Sequence, residues 1–262
     1  MKTIRILSTV LLLSAAIITI HSCKKDKGNS RLTVYLTDGP ADYDALNIDI
    51  TRVEIKASSD QGDNGWQALP ITPGIYNLLE FTNGMDTLLS SVELPAGKVS
   101  QIRLILGDNN TINISGNTIP LPLETPSAQT SGIKLNIHAD LVEGVEYKIW
   151  IDFDAARSIV VNGNGEYHLK PVIRTFTEAT SGAIKGNVQP ADAHAVVYAI
   201  SGTDSLSAIP DAVTGDYLIR GVPAGSWTVV ADGSNGFGDQ TASNVSVTLG
   251  QITTVNTFTL VQ

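Results

Sequence analysis

The stretch Tyr147-Lys148-Ile149-Trp150-Ile151-Asp152-Phe153-Asp154 alternates without interruption between two kinds of side chain. Its odd-numbered positions are apolar, and its even-numbered positions carry charges except at Trp150. Successive side chains of a β-strand point to opposite faces of a sheet, so this alternation predicts a strand with one face in a core and one polar face. The polar face then holds a tryptophan between a lysine and an aspartate.

The same two-residue period recurs through much of the chain. Residues 31–37, 102–106 and 133–137 alternate in this way, and residues that favour turns cluster between such runs. The sequence therefore predicts an all-β fold built as two antiparallel β-sandwich domains in tandem. We place the first at residues 31–175 and the second at residues 181–262, joined by a short polar connector.

Two features interrupt the regular alternation. The phase slips by one residue near Thr51 and Arg52, and a β-bulge would absorb the extra position. Leucines are clustered rather than alternating within residues 77–81 and 86–92, so a short helix is expected at each place.

Residues 1–22 have the layout of an export signal, not of folded protein. Lys2 and Arg5 give a positive start, an apolar run follows, and a small residue precedes Cys23, the only cysteine of the sequence. A membrane-spanning helix would need about 20 apolar residues, more than this run supplies. We therefore expect residues 1–22 to be a signal peptide and the rest of the chain to be exported.

The residues Ile20-His21-Ser22-Cys23 resemble the bacterial lipobox, in which the signal is cut before the cysteine and the cysteine carries lipid. The resemblance implies lipidation of Cys23 and a cell-envelope location, anchored at the outer membrane. A buried free thiol or half of a disulfide are the alternatives, but there is no second cysteine to pair with. Residues 23–30 would form a polar tether behind the lipid.

The charge balance restricts the partners. The formal net charge is −9, and it becomes more negative once Lys2 and Arg5 leave with the signal. An acidic chain of this kind is a poor ligand for nucleic acid and gains nothing from an anionic lipid surface. The lipid is therefore expected to provide the membrane anchor.

Four short motifs occur in order along the first predicted domain: Leu36-Thr37-Asp38-Gly39-Pro40, Leu94-Pro95-Ala96-Gly97, Asp152-Phe153-Asp154-Ala155 and Leu169-Lys170-Pro171-Val172-Ile173. Together they resemble a bacterial family known as domain of unknown function 4382, over about residues 30–175. The resemblance implies a secreted or lipid-anchored β-sandwich and implies no activity.

Residues 215–231 contain a Gly-x-Tyr strand and a Pro-Ala-Gly turn that an aromatic residue follows. They resemble the signature of the carboxypeptidase regulatory-like, transthyretin-like sandwich, over about residues 181–262. The resemblance implies that Tyr217 and Trp227 pack into the core of the second domain. Because this fold is grouped with carbohydrate-binding-like sandwiches, it also raises sugar binding as a hypothesis.

Groups that could carry catalysis are sparse. Beyond the signal, His138, His168 and His194 are the only histidines, and no two of them have metal-ligand spacing. The sequence has no Gly-x-Ser-x-Gly elbow, no P-loop and no His-Glu-x-x-His motif. We therefore predict that the protein is not an enzyme and expect no cofactor.

Trp150 with Lys148 and Asp152 is the candidate ligand-binding group. An exposed ring between hydrogen-bonding side chains is suited to a sugar, since the ring packs on the pyranose while the carboxylate binds hydroxyls. The alternative for Trp150 is packing against a second sheet or a neighbouring domain. Asp152 and Asp154 lie two residues apart on one strand, which is not the facing geometry that glycoside hydrolysis requires.

Asp38, Asp42 and Asp44 surround the Gly39-Pro40 turn and are the candidate metal ligands. Carboxylate oxygens at such a turn could bind calcium. The alternative is that these aspartates cap the turn and keep the loop solvated, which is the reading we favour.

These features predict a non-catalytic, lipid-anchored cell-envelope protein with a structural or interaction role, in adhesion or polysaccharide handling. A carbohydrate-binding module is one alternative, and an anchor or tip component of a fimbria is another, which would need a strand exchanged between subunits. The expected partners are the membrane, through the N-terminal lipid, and a glycan or an envelope protein.

Overall fold

The computed structural model describes residues 28–57 and 65–262, and the fold in these ranges is all-β, as predicted. The expected signal peptide, Cys23 and most of the expected tether lie outside the described residues. No helix of the described ranges is long and apolar enough to cross a membrane. We refer to residues 28–176 as the first sandwich and to residues 182–262 as the second sandwich.

The described residues of the first sandwich form thirteen strands and two single-turn α-helices. In chain order its strands are β1 (Asn29–Gly39), β2 (Ala45–Ala57), β3 (Trp66–Ala68), β4 (Gly74–Asn77), β5 (Thr87–Pro95), β6 (Gly97–Leu106), β7 (Thr111–Ile114), β8 (Asn117–Pro120), β9 (Ile133–Leu141), β10 (Glu146–Asp154), β11 (Ile159–Val161), β12 (Tyr167–Leu169) and β13 (Ile173–Phe176). The α-helices are α1 (Ser127–Thr130) and α2 (Ala155–Ser158).

Two sheets of the first sandwich enclose its core. One has the strand order β13-β10-β1-β5, and the other has the order β8-β7-β2-β6-β9, with β3 and β4 also paired to β2. Val34 of β1 lies opposite Ile149 of β10, and both belong to the core. Burying these alternate apolar side chains on one face drives the two sheets together and leaves Trp150 on the other face.

The second sandwich has its own core. In chain order its strands are β14 (Gly182–Gln189), β15 (Val196–Ser201), β16 (Asp204–Ala208), β17 (Asp216–Val222), β18 (Gly225–Asp232), β19 (Gln240–Val247), β20 (Ile252–Thr254) and β21 (Phe258–Thr259). One sheet has the order β16-β15-β18-β19, and the other has the order β17-β14-β20, with β21 also paired to β14. Tyr217 and Trp227 both lie in this core, as the family resemblance implied.

The structure settles the local predictions in different ways. The bulge near Thr51 is confirmed, because the register of β2 against β6 shifts between Ile50 and Arg52. A 3-10 helix at Leu78–Phe81 confirms the first expected helix. The second expected helix is wrong, because residues 87–92 lie in β5, which pairs antiparallel with β1. The sheets are not purely antiparallel either, since β1 pairs parallel with β10 and β14 pairs parallel with β20.

The polar connector folds into a compact turn between β13 and β14. The Thr180 backbone N–H donates to the Thr177 carbonyl over 3.2 Å, and the Ser181 hydroxyl donates to the same oxygen over 2.6 Å. Thr177 and Ser181 are both buried. Hydrogen bonding within the connector satisfies these buried polar groups, so the chain between the two sandwiches forms an ordered turn.

Candidate functional site

Trp150 is the middle one of three stacked aromatic rings on the outer face of the β13-β10-β1-β5 sheet. Its register partners are Tyr35 on β1 and Phe176 on β13. The Trp150 centroid lies 5.3 Å from that of Tyr35 and 5.5 Å from that of Phe176, with interplanar angles of 17° and 3°. Because the two partners flank Trp150 from neighbouring strands, both faces of the indole are covered, and Trp150 is 4% exposed. Sugar stacking on this ring would require one of these neighbours to move.

The indole also contributes to a contact between the two sandwiches. Trp150 Nε1 donates to Asp86 Oδ2 over 2.8 Å, and Arg220 Nη1 of the second sandwich donates to the same oxygen over 2.7 Å. The Arg220 guanidinium lies 5.4 Å from the Trp150 ring centroid. The Asp86 carboxylate of the first sandwich thus accepts hydrogen bonds from the neutral indole of its own sandwich and from the charged Arg220 of the second sandwich.

Arg174 makes a second contact of this kind in the opposite direction. Its Nε donates to Asp152 Oδ2 over 2.7 Å, while Nη1 and Nη2 donate to the carbonyls of Gly221 and Arg220 over 2.7 and 3.1 Å. Burial raises the pKa of Asp152 above its usual value, while the neighbouring Arg174 opposes the shift. The planar guanidinium can span both partners, so Asp152 orients Arg174 towards the backbone of β17.

Asn83 binds the edge of the same strand. It lies in a turn closed by the hydrogen bond from the Met85 N–H to the Thr82 carbonyl, 3.0 Å long, with positive φ at Asn83 and Gly84. Asn-Gly is the pair that this turn favours. Asn83 Nδ2 donates to the Asp216 carbonyl over 3.1 Å, and the Leu218 N–H donates to Asn83 Oδ1 over 2.7 Å. The side-chain amide therefore pairs with β17 as a neighbouring strand would.

Gly84 allows this close approach. A Cβ atom at Gly84 would lie 2.5 Å from Cδ2 of Leu218, and the φ of 84° also favours glycine. We call the whole set of contacts the junction, made by Asn83, Gly84, Asp86, Trp150, Asp152, Arg174, Leu218 and Arg220.

The structure brings two of the three predicted ligand-binding residues into the junction and leaves the third outside it. Trp150 and Asp152 contact groups that bind the second sandwich, as described above. Lys148 lies nearer the start of β10, where its Nζ is 3.9 Å from Glu146 Oε2 and its side chain is 43% exposed. The three side chains therefore do not act as one group here.

The three candidate metal ligands have separate surroundings. Asp38 is buried and accepts a 3.0 Å hydrogen bond from the Ala155 N–H, while its Oδ2 has no partner. Asp44 accepts a 2.8 Å bond from the Gly116 N–H, and Asp42 lines a cavity of about 540 Å³ beside the second sandwich. In residues 28–57 and 65–262, no group of three or more His, Cys, Asp and Glu side chains is arranged to hold a metal ion.

Asp38 of β1 carries a carboxyl group whose surroundings disfavour its charged form. Burial raises its pKa well above the ordinary value, and the negative charges of Asp152 and Asp154 raise it further. The hydrogen bond from Ala155 opposes this shift without cancelling it. Asp38 therefore binds its proton more tightly in the folded protein than in the unfolded chain.

We expect Asp38→Asn to reduce the pH dependence of stability. The unfolded pKa of an aspartate is about 3.9, so Asp38 binds its proton more tightly when folded. Its stabilising contribution is complete below that unfolded value and is lost as pH rises through the folded pKa. Urea unfolding gives the free energy of unfolding of both proteins. The value for the natural protein minus that for Asp38→Asn should increase as the pH falls from about 7 to about 4.5. A difference that stays constant with pH would contradict the assignment.

A cleft of about 270 Å³ opens beside the junction. Trp150, Glu178 and Arg220 are among the residues that line it, together with the apolar residues Leu218 and Ile252. Charged and apolar side chains thus lie side by side along this cleft.

Sequence reasoning missed most partners in the junction. Asp86 and Arg220 lie far from Trp150 in the chain, and nothing in their local sequence marks them as its partners. The Asn83-Gly84 pair does carry a local signal, because it predicts a tight turn with positive φ. That signal gives the shape of the turn but not the strand that it contacts.

The fold and the junction define an all-β protein of two sandwiches with side-chain contacts between them. The family described as Domain of unknown function (DUF4382) matches residues 29–171, more than half of the sequence. The chain belongs to this family, as the four motifs of the first sandwich implied. No curated protein matches the chain.

Several solved structures of bacterial proteins are similar at low identity. The Bacillus anthracis TIE protein is 10% identical over 89% of this chain and 34% of its own, with a TM-score of 0.24. GBS52, the minor pilin of Streptococcus agalactiae, is 9% identical over 88% of this chain and 96% of its own, with a TM-score of 0.23. A fimbrial protein from Bacteroides ovatus is 10% identical over 89% of this chain and 50% of its own, with a TM-score of 0.24. The chain thus spans a third to a half of two of these proteins, and likeness at these TM-scores carries no inference about function.

Proposed function

We propose that this protein is a non-catalytic, lipid-anchored protein of the cell envelope with a structural or interaction role. The observation that carries the proposal is the junction, in which side chains of each sandwich bind the other one. Domains joined only by a linker move independently by default. The Arg220–Asp86 ion pair, the bonds from Arg174 to two carbonyls of β17 and the Asn83 amide instead favour one orientation, which suits a spacer or an anchor.

We further propose that the second sandwich is a carboxypeptidase regulatory-like module. The support is the position of Tyr217 and Trp227, which both lie in its core. Modules of this kind do not imply catalysis by themselves, because function lives in sites that are added to a fold.

Replacing Cys23 with alanine tests the anchor. We expect Cys23→Ala protein to be exported and to move from the detergent phase to the aqueous phase in phase partitioning. The physical reason is that stable anchoring depends on acyl chains, which alanine cannot carry. Lys25→Ala is the matched control, since it changes the same tether and keeps the cysteine. Membrane retention of the Cys23→Ala protein would overturn the lipid-anchor proposal.

A carbohydrate-binding role is the second candidate, and the cleft beside Trp150 is the observation that favours it. Sugar hydroxyls could bind Arg220 and Glu178 there while Leu218 and Ile252 contact an apolar ring face. A glycan array with the natural protein is the first test. Any glycan retained should be lost by Glu178→Gln and kept by Glu166→Gln, which alters an exposed glutamate elsewhere. Equal binding by both variants would rule out this cleft.

A further inference from the structure

Asn-Gly pairs are the places where a polypeptide most readily modifies itself. Within the described residues they occur at Asn83, Asn162, Asn164 and Asn235, each followed by glycine. Of these four, Asn83 is the one whose side chain hydrogen-bonds across the two sandwiches. Its chemistry is therefore coupled to the junction.

The reaction at an Asn-Gly pair needs only water and base. The peptide nitrogen of Gly84 loses its proton and attacks Cγ of Asn83, the Cγ–Nδ2 bond breaks, and ammonia leaves. Water then opens the resulting succinimide at either carbonyl, which gives aspartate or isoaspartate. Glycine permits the attack because it has no side chain to block the approach.

The closed junction opposes this reaction. Both atoms of the Asn83 amide are engaged with β17, Nδ2 with the Asp216 carbonyl and Oδ1 with the Leu218 N–H. The amide cannot rotate towards the Gly84 nitrogen while both bonds are made. The attack requires the turn at residues 82–85 to separate from β17. The deamidation rate of Asn83 is therefore proportional to the fraction of molecules in which the junction is open.

We propose that Asn83 is a deamidation site gated by the junction, and that deamidation keeps the junction open. The product has a carboxylate oxygen in place of Nδ2, so it cannot donate to the Asp216 carbonyl and repels that oxygen instead. Isoaspartate also adds a methylene to the backbone of a turn in which even a Cβ atom at Gly84 would lie 2.5 Å from Cδ2 of Leu218. A molecule that deamidates at Asn83 during an opening event therefore cannot form the original hydrogen bonds again.

Asn164 is the internal reference for this proposal. It is exposed, and its Oδ1 accepts a 3.3 Å bond from the Glu166 N–H within the same turn. Its deamidation depends on local turn motion alone. In the natural protein, Asn164 should therefore deamidate faster than Asn83.

The test is incubation of the folded protein at mildly alkaline pH, followed by digestion and mass spectrometry of the peptides that contain Asn83 and Asn164. Arg220→Ala removes the ion pair to Asp86 without touching the turn. It should accelerate deamidation of Asn83 on the order of tenfold, the change that about 1.4 kcal/mol makes in an opening equilibrium. The rate at Asn164 should not change.

An unchanged Asn83 rate in Arg220→Ala would overturn the gating. If that variant does not fold, Asp86→Asn weakens the same ion pair and keeps an acceptor for the indole. The consequence is tested separately by hydrogen exchange at the Leu218 amide. Asn83→Asp should exchange faster there than the natural protein, whereas Asn164→Asp should not. Equal protection of Leu218 in Asn83→Asp and the natural protein would overturn the claim that deamidation opens the junction.

Discussion

Replacing Trp227 with alanine should lower the free energy of unfolding by about 3 to 5 kcal/mol, the usual range for removing a buried aromatic side chain. Trp227 is 4% exposed in the core of the second sandwich. Its Nε1 also donates to the Pro223 carbonyl over 2.9 Å, which ties the ring to the turn before β18. The substitution would leave a cavity and an unpaired carbonyl together.

Urea unfolding of the full chain measures this loss. Val213→Ala is a suitable control, because Val213 is 87% exposed in the same sandwich and should change stability by no more than about 0.5 kcal/mol. A loss for Trp227→Ala no larger than that of the control would show that the second core does not depend on this ring.

Much of the strand pattern could be predicted because burial imposes a period of two. The bulge near Thr51 was predictable for the same reason, since a slipped alternation can keep its apolar side chains on one face only by adding a residue. Leu88 and Leu89 were misread as helical because clustered leucines fit either element. Pairing with β1 decides the outcome, and a strand partner more than fifty positions away is invisible to a local period.

The candidate site was only partly predictable for a related reason. Trp150 and Asp152 were singled out because charged and aromatic side chains share one face of β10. The partners of Trp150 are Asp86 and Arg220, which lie in different sandwiches and come together only in the folded chain. A single sequence contains these residues but does not show that they are close in space. For Trp150 it therefore could not decide between a sugar-binding face and packing against a neighbouring domain.

Trp150→Ala should lower the free energy of unfolding by about 3 to 5 kcal/mol, although Trp150 lies outside both cores. The substitution leaves a gap between Tyr35 and Phe176 and removes the neutral donor that Asp86 binds. Asp86 then has Arg220 as its one remaining partner of the two. The loss of unfolding free energy should therefore include part of the contribution made by the contact between the sandwiches. A ring that served only as a platform for sugar would contribute little to folding.

Lys148→Ala provides the matched control for this last prediction, because it alters the same face of β10 outside the junction. With a side chain 43% exposed and a 3.9 Å ion pair, Lys148 should contribute no more than about 0.5 kcal/mol. Urea unfolding and a glycan array on both variants separate the two roles of Trp150. Packing at the junction is supported if Trp150→Ala loses much of its stability and any glycan binding falls only as far as the unfolded fraction explains. A Trp150→Ala protein as stable as Lys148→Ala would contradict it, and loss of glycan binding in that stable protein would assign the ring to a ligand.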